Sequence, residues 1–315
     1  MKTSAINNRS IERWKADVKE SVLFYNDWFM RFAPVAYIGA RKSAIKSVSK
    51  VFKATDLFRN LGGEFLRNNP SATTILRMVT TPPLARDRLS GLADVPRGLV
   101  KSLEEGKRSS DSAALERIAN IVSRLIDREI MPWLGGKATP SQRDLDVAWA
   151  IIGDRLCGSL ADPIIRNEQE RRQLESIGDF LSSRGYRRVN AKEIADFRAM
   201  PAGSFAHHLN VPAKLVRRQT VNIPVDVVIM RRNAKPGDLP LLIECKSAGD
   251  FTNTNKRRKE EAMKVMQLKA TYGSGVEFML FLCGYFDSGY LGYEAAEGID
   301  WIWEHRISDL EKANV

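Results

Sequence analysis

Cysteine and histidine are scarce in this chain of 315 residues, three of each. Cys157, Cys245 and Cys283 are odd in number and widely spaced. That argues against a disulfide framework and reads as reduced packing residues of a cytoplasmic protein. His207 and His208 are adjacent on an expected strand, where consecutive side chains face opposite ways, and one other histidine exists. A histidine-based metal site is therefore not expected. No apolar run reaches the length of a membrane span, and the N-terminus has no signal-like apolar core. Internal repeats and low-complexity tails are also absent. Acidic residues are in deficit, 38 against 49 Lys and Arg, leaving a net charge of +11. Such a surplus favours a polyanionic partner, nucleic acid first, with an anionic membrane surface as the compositional alternative.

Much of that surplus is N-terminal. Residues 1–60 hold twelve basic and five acidic side chains, +7 by difference. The pattern there is helical, and Lys42, Lys46, Lys50 and Lys53 recur at helical spacing along one face. That face reads equally as a phosphate-tracking stripe or as an ordinary solvated surface. In PPLARDRLSGLADVPRGLVKSLEEG, two short helical stretches flank a turn at Gly91 to Pro96. The spacing loosely fits a helix-turn-helix that would present Arg97 and Lys101 to DNA. Helix–break–helix patterns are common in any helical domain, and that plainer reading has the advantage. Breaks at Gly106–Ser112 and Gly135–Ser141 divide the region. The second sets the expected boundary between a basic α-helical DNA-binding region, 1–140, and a catalytic core, 141–315.

The chemistry concentrates in two apolar runs, VNIPVDVVIM and LPLLIECKS. Both are β-branched, bounded by turn residues, and predict strands joined by the loop from Arg231 to Asp238. Side chains two apart share a face, so Glu244 and Lys246 project together while Ile243 and Cys245 face a core. Asp226 interrupts the neighbouring strand, where an unpaired carboxylate is costly. Side by side, the strands bring two carboxylates and an ammonium together. A divalent cation such as Mg²⁺ takes hard oxygen ligands of this kind, Asp226 and Glu244 first, with the carbonyl of Cys245 as a third. Lys246 would hold the attacking water or neutralise a scissile phosphate. The plain alternative is a buried Asp–Lys salt bridge.

Upstream, Asp162-Pro163 predicts a helix start and Gly185 its end. Leu174, Ile177 and Leu181 form its inward stripe, and four residues before Leu174 stands Glu170. Glu170 reads equally as a further acid of the site or as part of a solvated first half among Arg166, Glu168, Arg171 and Arg172. After Lys246 comes a polar stretch, then a helix, KRRKEEAMKVMQLKATYG, with Asn255 as the expected N-cap. Its first turn carries Lys256, Arg257, Arg258 and Lys259, the wrong sign for the positive end of a helix dipole. A docked DNA phosphate would remove that conflict, and Glu260 and Glu261 offer the local alternative. GVEFMLFLCGYF, 275–286, predicts a buried strand. A tail helix around Trp301 and Trp303 is expected to cover it, its tryptophans packing and not stacking on bases.

The D…E-x-K arrangement, Pro224-Val225-Asp226 with Glu244-Cys245-Lys246, resembles the PD-(D/E)xK nuclease superfamily. PPLARDRLSGLADVP, RNEQERRQLESIGDFL and ECKSAGDFTNTNKRRKEE together resemble the XamI family of type II restriction endonucleases, from about Thr80 to the C-terminal end. The resemblance implies an α/β fold, a restriction-endonuclease-like mixed sheet flanked by helices and joined to an α-helical N-terminal region. It implies metal ligands at Asp226 and Glu244, the catalytic lysine at Lys246 and a helical glutamate at Glu170. That glutamate varies in position within the superfamily, which leaves Glu168 and Glu175 as alternatives. It further implies Mg²⁺-dependent cleavage of both strands of a short palindrome in double-stranded DNA, GTCGAC for the family's type enzyme. A homodimer would match the two-fold target, and a cognate DNA methyltransferase would protect host DNA. Two rivals remain open: a structure-specific repair or recombination nuclease on the same fold, and a DNA-binding protein that no longer cuts.

Overall fold

A computed structural model describes residues 5–136, 139–214, 220–252 and 254–315, the side chains of 254–258 excepted. The chain divides into two compact units. One comprises Phe32–Ile165, the other the residues up to Arg31 together with Arg166–Val315. The divisions fall within two long helices, α1 (Ile11–Ala54) and α7 (Gln142–Ser183), and not in the segment 135–141.

The unit Phe32–Ile165 is helical. Besides parts of α1 and α7 it contains α2 (Gly63–Asn68), α3 (Thr73–Met78), α4 (Arg86–Leu92), α5 (Arg97–Glu104) and α6 (Ser112–Leu125). The reason is legible in α6. Leu115, Ile118, Ala119 and Val122 recur at helical spacing and are all fully buried, and Asp111 caps the helix by accepting from Ala114 N at 2.9 Å. The core gathers Phe52, Leu66, Leu76, Leu89, Leu103 and Trp133. Buried charge is paired: Arg77 with Glu104 at 2.6 Å and Arg155 with Asp127 at 2.9 Å. The helix–turn–helix spacing is present as α4 and α5. Arg97 stands exposed in the first turn of α5, and Lys101 lies 3.8 Å from Glu105. Lys42, Lys46, Lys50 and Lys53 are all exposed on α1.

The other unit is built on a sheet. Its strands are β1 (Arg187–Arg188), β2 (Ser204–Lys214), β3 (Thr220–Met230), β4 (Leu241–Ala248), β5 (Glu277–Gly284) and β6 (Asp300–Trp303). They lie in sequence order: β1 pairs with β2 in parallel, β2 with β3 and β3 with β4 antiparallel, and β4 with β5 and β5 with β6 in parallel. Parallel neighbours need a crossover: α8 (Thr254–Tyr272) carries the chain from β4 to β5, and α9 (Ser288–Ala296) from β5 to β6. This is the mixed, helix-flanked sheet of a restriction-endonuclease-like fold. β5 is buried almost throughout, as an apolar central strand must be.

Three local expectations are corrected. The helix expected to begin at Asp162 is the second half of α7, which runs through Pro163. Proline in a helix interior forfeits one hydrogen bond, at a cost of about 3 kcal/mol. Buried stripes on both sides, Ala148, Ile152 and Leu156 before it and Leu174, Ile177 and Leu181 after it, outweigh that cost. The end is as expected: Gly185 adopts φ +73° while Tyr186 N bonds Leu181 O at 3.0 Å. Trp301 and Trp303 lie on strand β6, not on a helix, because the DWIW run pairs with β5 and every residue of it is buried. The helix after Lys246 begins at Thr254, so Asn255 lies within it and is not its cap.

The N-terminal residues join this unit through Asp300. Its carboxylate accepts the backbone N–H groups of Ile6 at 2.6 Å and Asn7 at 2.9 Å. Arg306 binds Asp17 at 2.6 Å, and Trp14 packs on Trp301 with ring centroids 5.5 Å apart.

Candidate active site

The antiparallel ladder between β3 and β4 ends at the pair Val227–Ile243. One step further, Asp226 and Glu244 would stand opposite each other, on one face of the sheet. The strands part there. The Cys245 N–H donates to the Asp226 carboxylate at 2.7 Å. Lys246, two residues beyond Glu244, donates to Glu244 Oε1 at 2.9 Å. The three residues read from the two strands are thus brought together.

Their electrostatics follow from burial. Glu244 is 5% exposed, and its Oε2 has no donor among the described residues. Burial and the neighbouring Glu244 charge push the Asp226 carboxyl up to about 6, against the help of the Cys245 N–H. For Lys246, burial opposes the charge, but the carboxylates of Glu244 and Glu261 outweigh it and hold the ammonium above the usual lysine range. Glu261, fully buried on α8, lies 3.3 Å from Lys246; burial raises its carboxyl despite that partner.

Glu170 is exposed on α7 and not on its buried stripe. It nevertheless approaches the site: its carboxylate, the His208 imidazole and the Asp226 carboxylate offer atoms all within 4.8 Å of one another. The alternatives Glu168 and Glu175 both pair with Arg171. The buried stripe position at this level belongs to Gln173, whose amide donates to the carbonyls of Lys246 at 3.3 Å and Phe281 at 3.2 Å and ties α7 to β4 and β5. Lys256, Arg257 and Arg258 lie outside the residues whose side chains are described.

Sequence reasoning missed His208, Glu261 and Lys264. His208 takes φ +55° in the middle of β2, a conformation strand periodicity does not anticipate. Glu261 left a signal, for it shares the inward stripe of α8 with Val265 and Leu268. Lys264, one turn on, donates to Glu244 Oε1 at 2.5 Å. The donor set suits a hard divalent cation. Two carboxylates converge, one buried oxygen lacks a donor among the described residues, and a third carboxylate and an imidazole stand nearby.

Comparison with known proteins places the chain in a family. The XamI restriction endonuclease family model matches residues 56–303. The chain belongs to that family, and its class is that of the type II site-specific deoxyribonucleases. It is 45% identical to the type II restriction enzyme SalI of Streptomyces albus G, over 98% of this chain and 99% of that one. The type II restriction enzyme XamI of Xanthomonas campestris pv. amaranthicola is 25% identical over 59% of this chain and 62% of its own. A solved structure, protein VC1899 from Vibrio cholerae, aligns with 86% of this chain and 55% of its own at 13% identity and a TM-score of 0.30.

Proposed function

We propose that this restriction endonuclease is Mg²⁺-dependent and cuts both strands of a short palindrome in duplex DNA, GTCGAC, in the cytoplasm. Asp226, Glu244 and the Cys245 carbonyl would hold the cation, with Glu170 as an auxiliary acid. A bound divalent cation acidifies water and offsets charge developing on the phosphoryl group. The chain's own residues do the rest. Lys246, held charged between Glu244 and Glu261, donates to the attacking water or to the scissile phosphate. The Cys245 N–H and the Gln173 amide fix the parted strand ends so that the carboxylates stay in place. A two-fold target calls for a homodimer with one site per strand, and a methyltransferase of the same specificity would shield host DNA. Lys256, Arg257, Arg258, Arg97 and Lys101 are proposed contacts to DNA.

The observation that carries this reading is the pairing of the buried Glu244 with the half-buried Asp226. Among the described residues Glu244 keeps an oxygen without a donor, beside an Asp226 whose charge burial and Glu244 both disfavour. A cation resolves both. The test is incubation with unmethylated phage DNA in Mg²⁺ or in EDTA, followed by sequencing of the fragment ends. Discrete Mg²⁺-dependent fragments sharing GTCGAC at their ends are expected. Asp226→Ala and Lys246→Ala should abolish cleavage, a loss of at least about a thousandfold, while DNA binding by gel shift is kept. Cutting confined to junctions or damaged duplexes, or binding with no nicking, would overturn the reading.

A further inference from the structure

The geometry points to Lys264 as a second lysine of the active site, a positioning residue that sets the affinity of Glu244 for a divalent cation. This rests on the reading of Glu244 as a cation ligand and goes beyond it. Two ammoniums converge on one oxygen: Glu244 Oε1 accepts from Lys264 at 2.5 Å and from Lys246 at 2.9 Å. They come from different elements, α8 and β4. The other oxygen, Oε2, has no donor among the described residues in a side chain that is 5% exposed. The carboxylate is therefore divided. One oxygen is anchored by two donors, which fixes its rotation, and the other is left for a further ligand.

Glu261, one turn before Lys264 on α8, closes the arrangement by pairing with Lys246 at 3.3 Å. The charges then alternate, Lys264, Glu244, Lys246, Glu261, two of each sign in a largely buried set. Lys264 has two opposed effects on the site. Its charge offsets the repulsion between Glu244 and Asp226 before a cation arrives, and it holds Glu244 in one orientation. The same charge repels the arriving cation. Its removal should therefore tighten cation binding while loosening the carboxylate that positions it. A residue that merely supports the fold would not tighten binding when lost.

The test is Mn²⁺ titration of the full-length protein by electron paramagnetic resonance, with single-turnover cleavage at saturating Mn²⁺. Wild type is compared with Lys264→Met, Lys264→Gln, Lys264→Arg and Glu244→Gln, each checked for wild-type thermal unfolding. Lys264→Met should bind Mn²⁺ about tenfold more tightly, as expected from loss of a like charge at this range. It should cleave about a hundredfold more slowly. Lys264→Arg, which keeps the charge, should stay within about threefold of wild-type Mn²⁺ affinity. If Lys264→Met does not fold, Lys264→Gln serves the same comparison. Unchanged or weaker Mn²⁺ affinity in the folded neutral variant overturns the inference. Wild-type Mn²⁺ affinity in Glu244→Gln overturns the underlying assignment of Glu244 as a ligand, and is distinguishable because it does not involve Lys264.

Discussion

Asp226 shows how a single position can oppose the fold and suit the proposed site. Its carboxyl is raised to about 6, so between the ordinary aspartate value of about 3.9 and 6 the folded chain binds more protons there than the unfolded chain does. Stability from this group is therefore present at low pH and lost as pH rises through that window. Asp226→Asn should raise stability at pH 7 by about 1–2 kcal/mol while abolishing cleavage, measured by urea unfolding beside a cleavage assay. Protons also compete with a cation at the same oxygens. Mn²⁺ affinity of the wild type should fall as pH drops below about 6, and a flat profile between pH 5 and 7 would remove Asp226 from the ligand set. At this scale much was legible. Asp226, Glu244 and Lys246 announce themselves because charge inside β-branched runs is conspicuous. Glu170 was found by a stripe argument that the fold does not honour, since Gln173 holds the buried position. Glu261 on α8 obeys that argument better.

At the scale of elements, the ends of β4 and β5 decide the geometry. Gly284 closes β5 at φ +97°, donates its N–H to Ser21 Oγ at 2.8 Å, and a Cβ there would run into the carbonyl of Ala248. Gly284→Ala combines strain with a backbone clash and should cost about 2–4 kcal/mol, read from the urea midpoint. β6 bears on the sheet in a different way. Trp301 is fully buried against Trp14 and Leu280 is its partner in the register. Trp301→Ala should cost about 3–5 kcal/mol, and a loss below 1 kcal/mol would contradict a core role for this strand. The sequence presents DWIW as apolar and aromatic, which fits a strand or a covering helix. Four residues are too few for periodicity to separate them, and only pairing with β5 does.

For the whole molecule, net charge and its placement govern the encounter with DNA. The exposed lysines of α1, Lys42, Lys46, Lys50 and Lys53, form a candidate backbone-tracking face within the helical unit. Replacing all four with alanine should weaken DNA binding and reduce the slope of log K against log salt by about 3–4, with cleavage of bound DNA retained. An unchanged slope would return that face to the role of a solvated surface. The sequence by itself determined the alternation and helical spacing of apolar residues, and hence strands β3, β4 and β5, the helical character of the N-terminal region and the mixed α/β class. It also determined which charges stood inside apolar runs, because burying an unpaired charge is costly enough to be visible without coordinates. Only the tertiary structure decided that the residues up to Arg31 belong with the sheet, through the Asp300 carboxylate nearly 300 positions away. It alone decided that α7 continues through Pro163, and that Lys264 and His208 reach the parted ends of β3 and β4. Those outcomes depend on contacts between segments distant in the chain, whose energies local pattern does not carry.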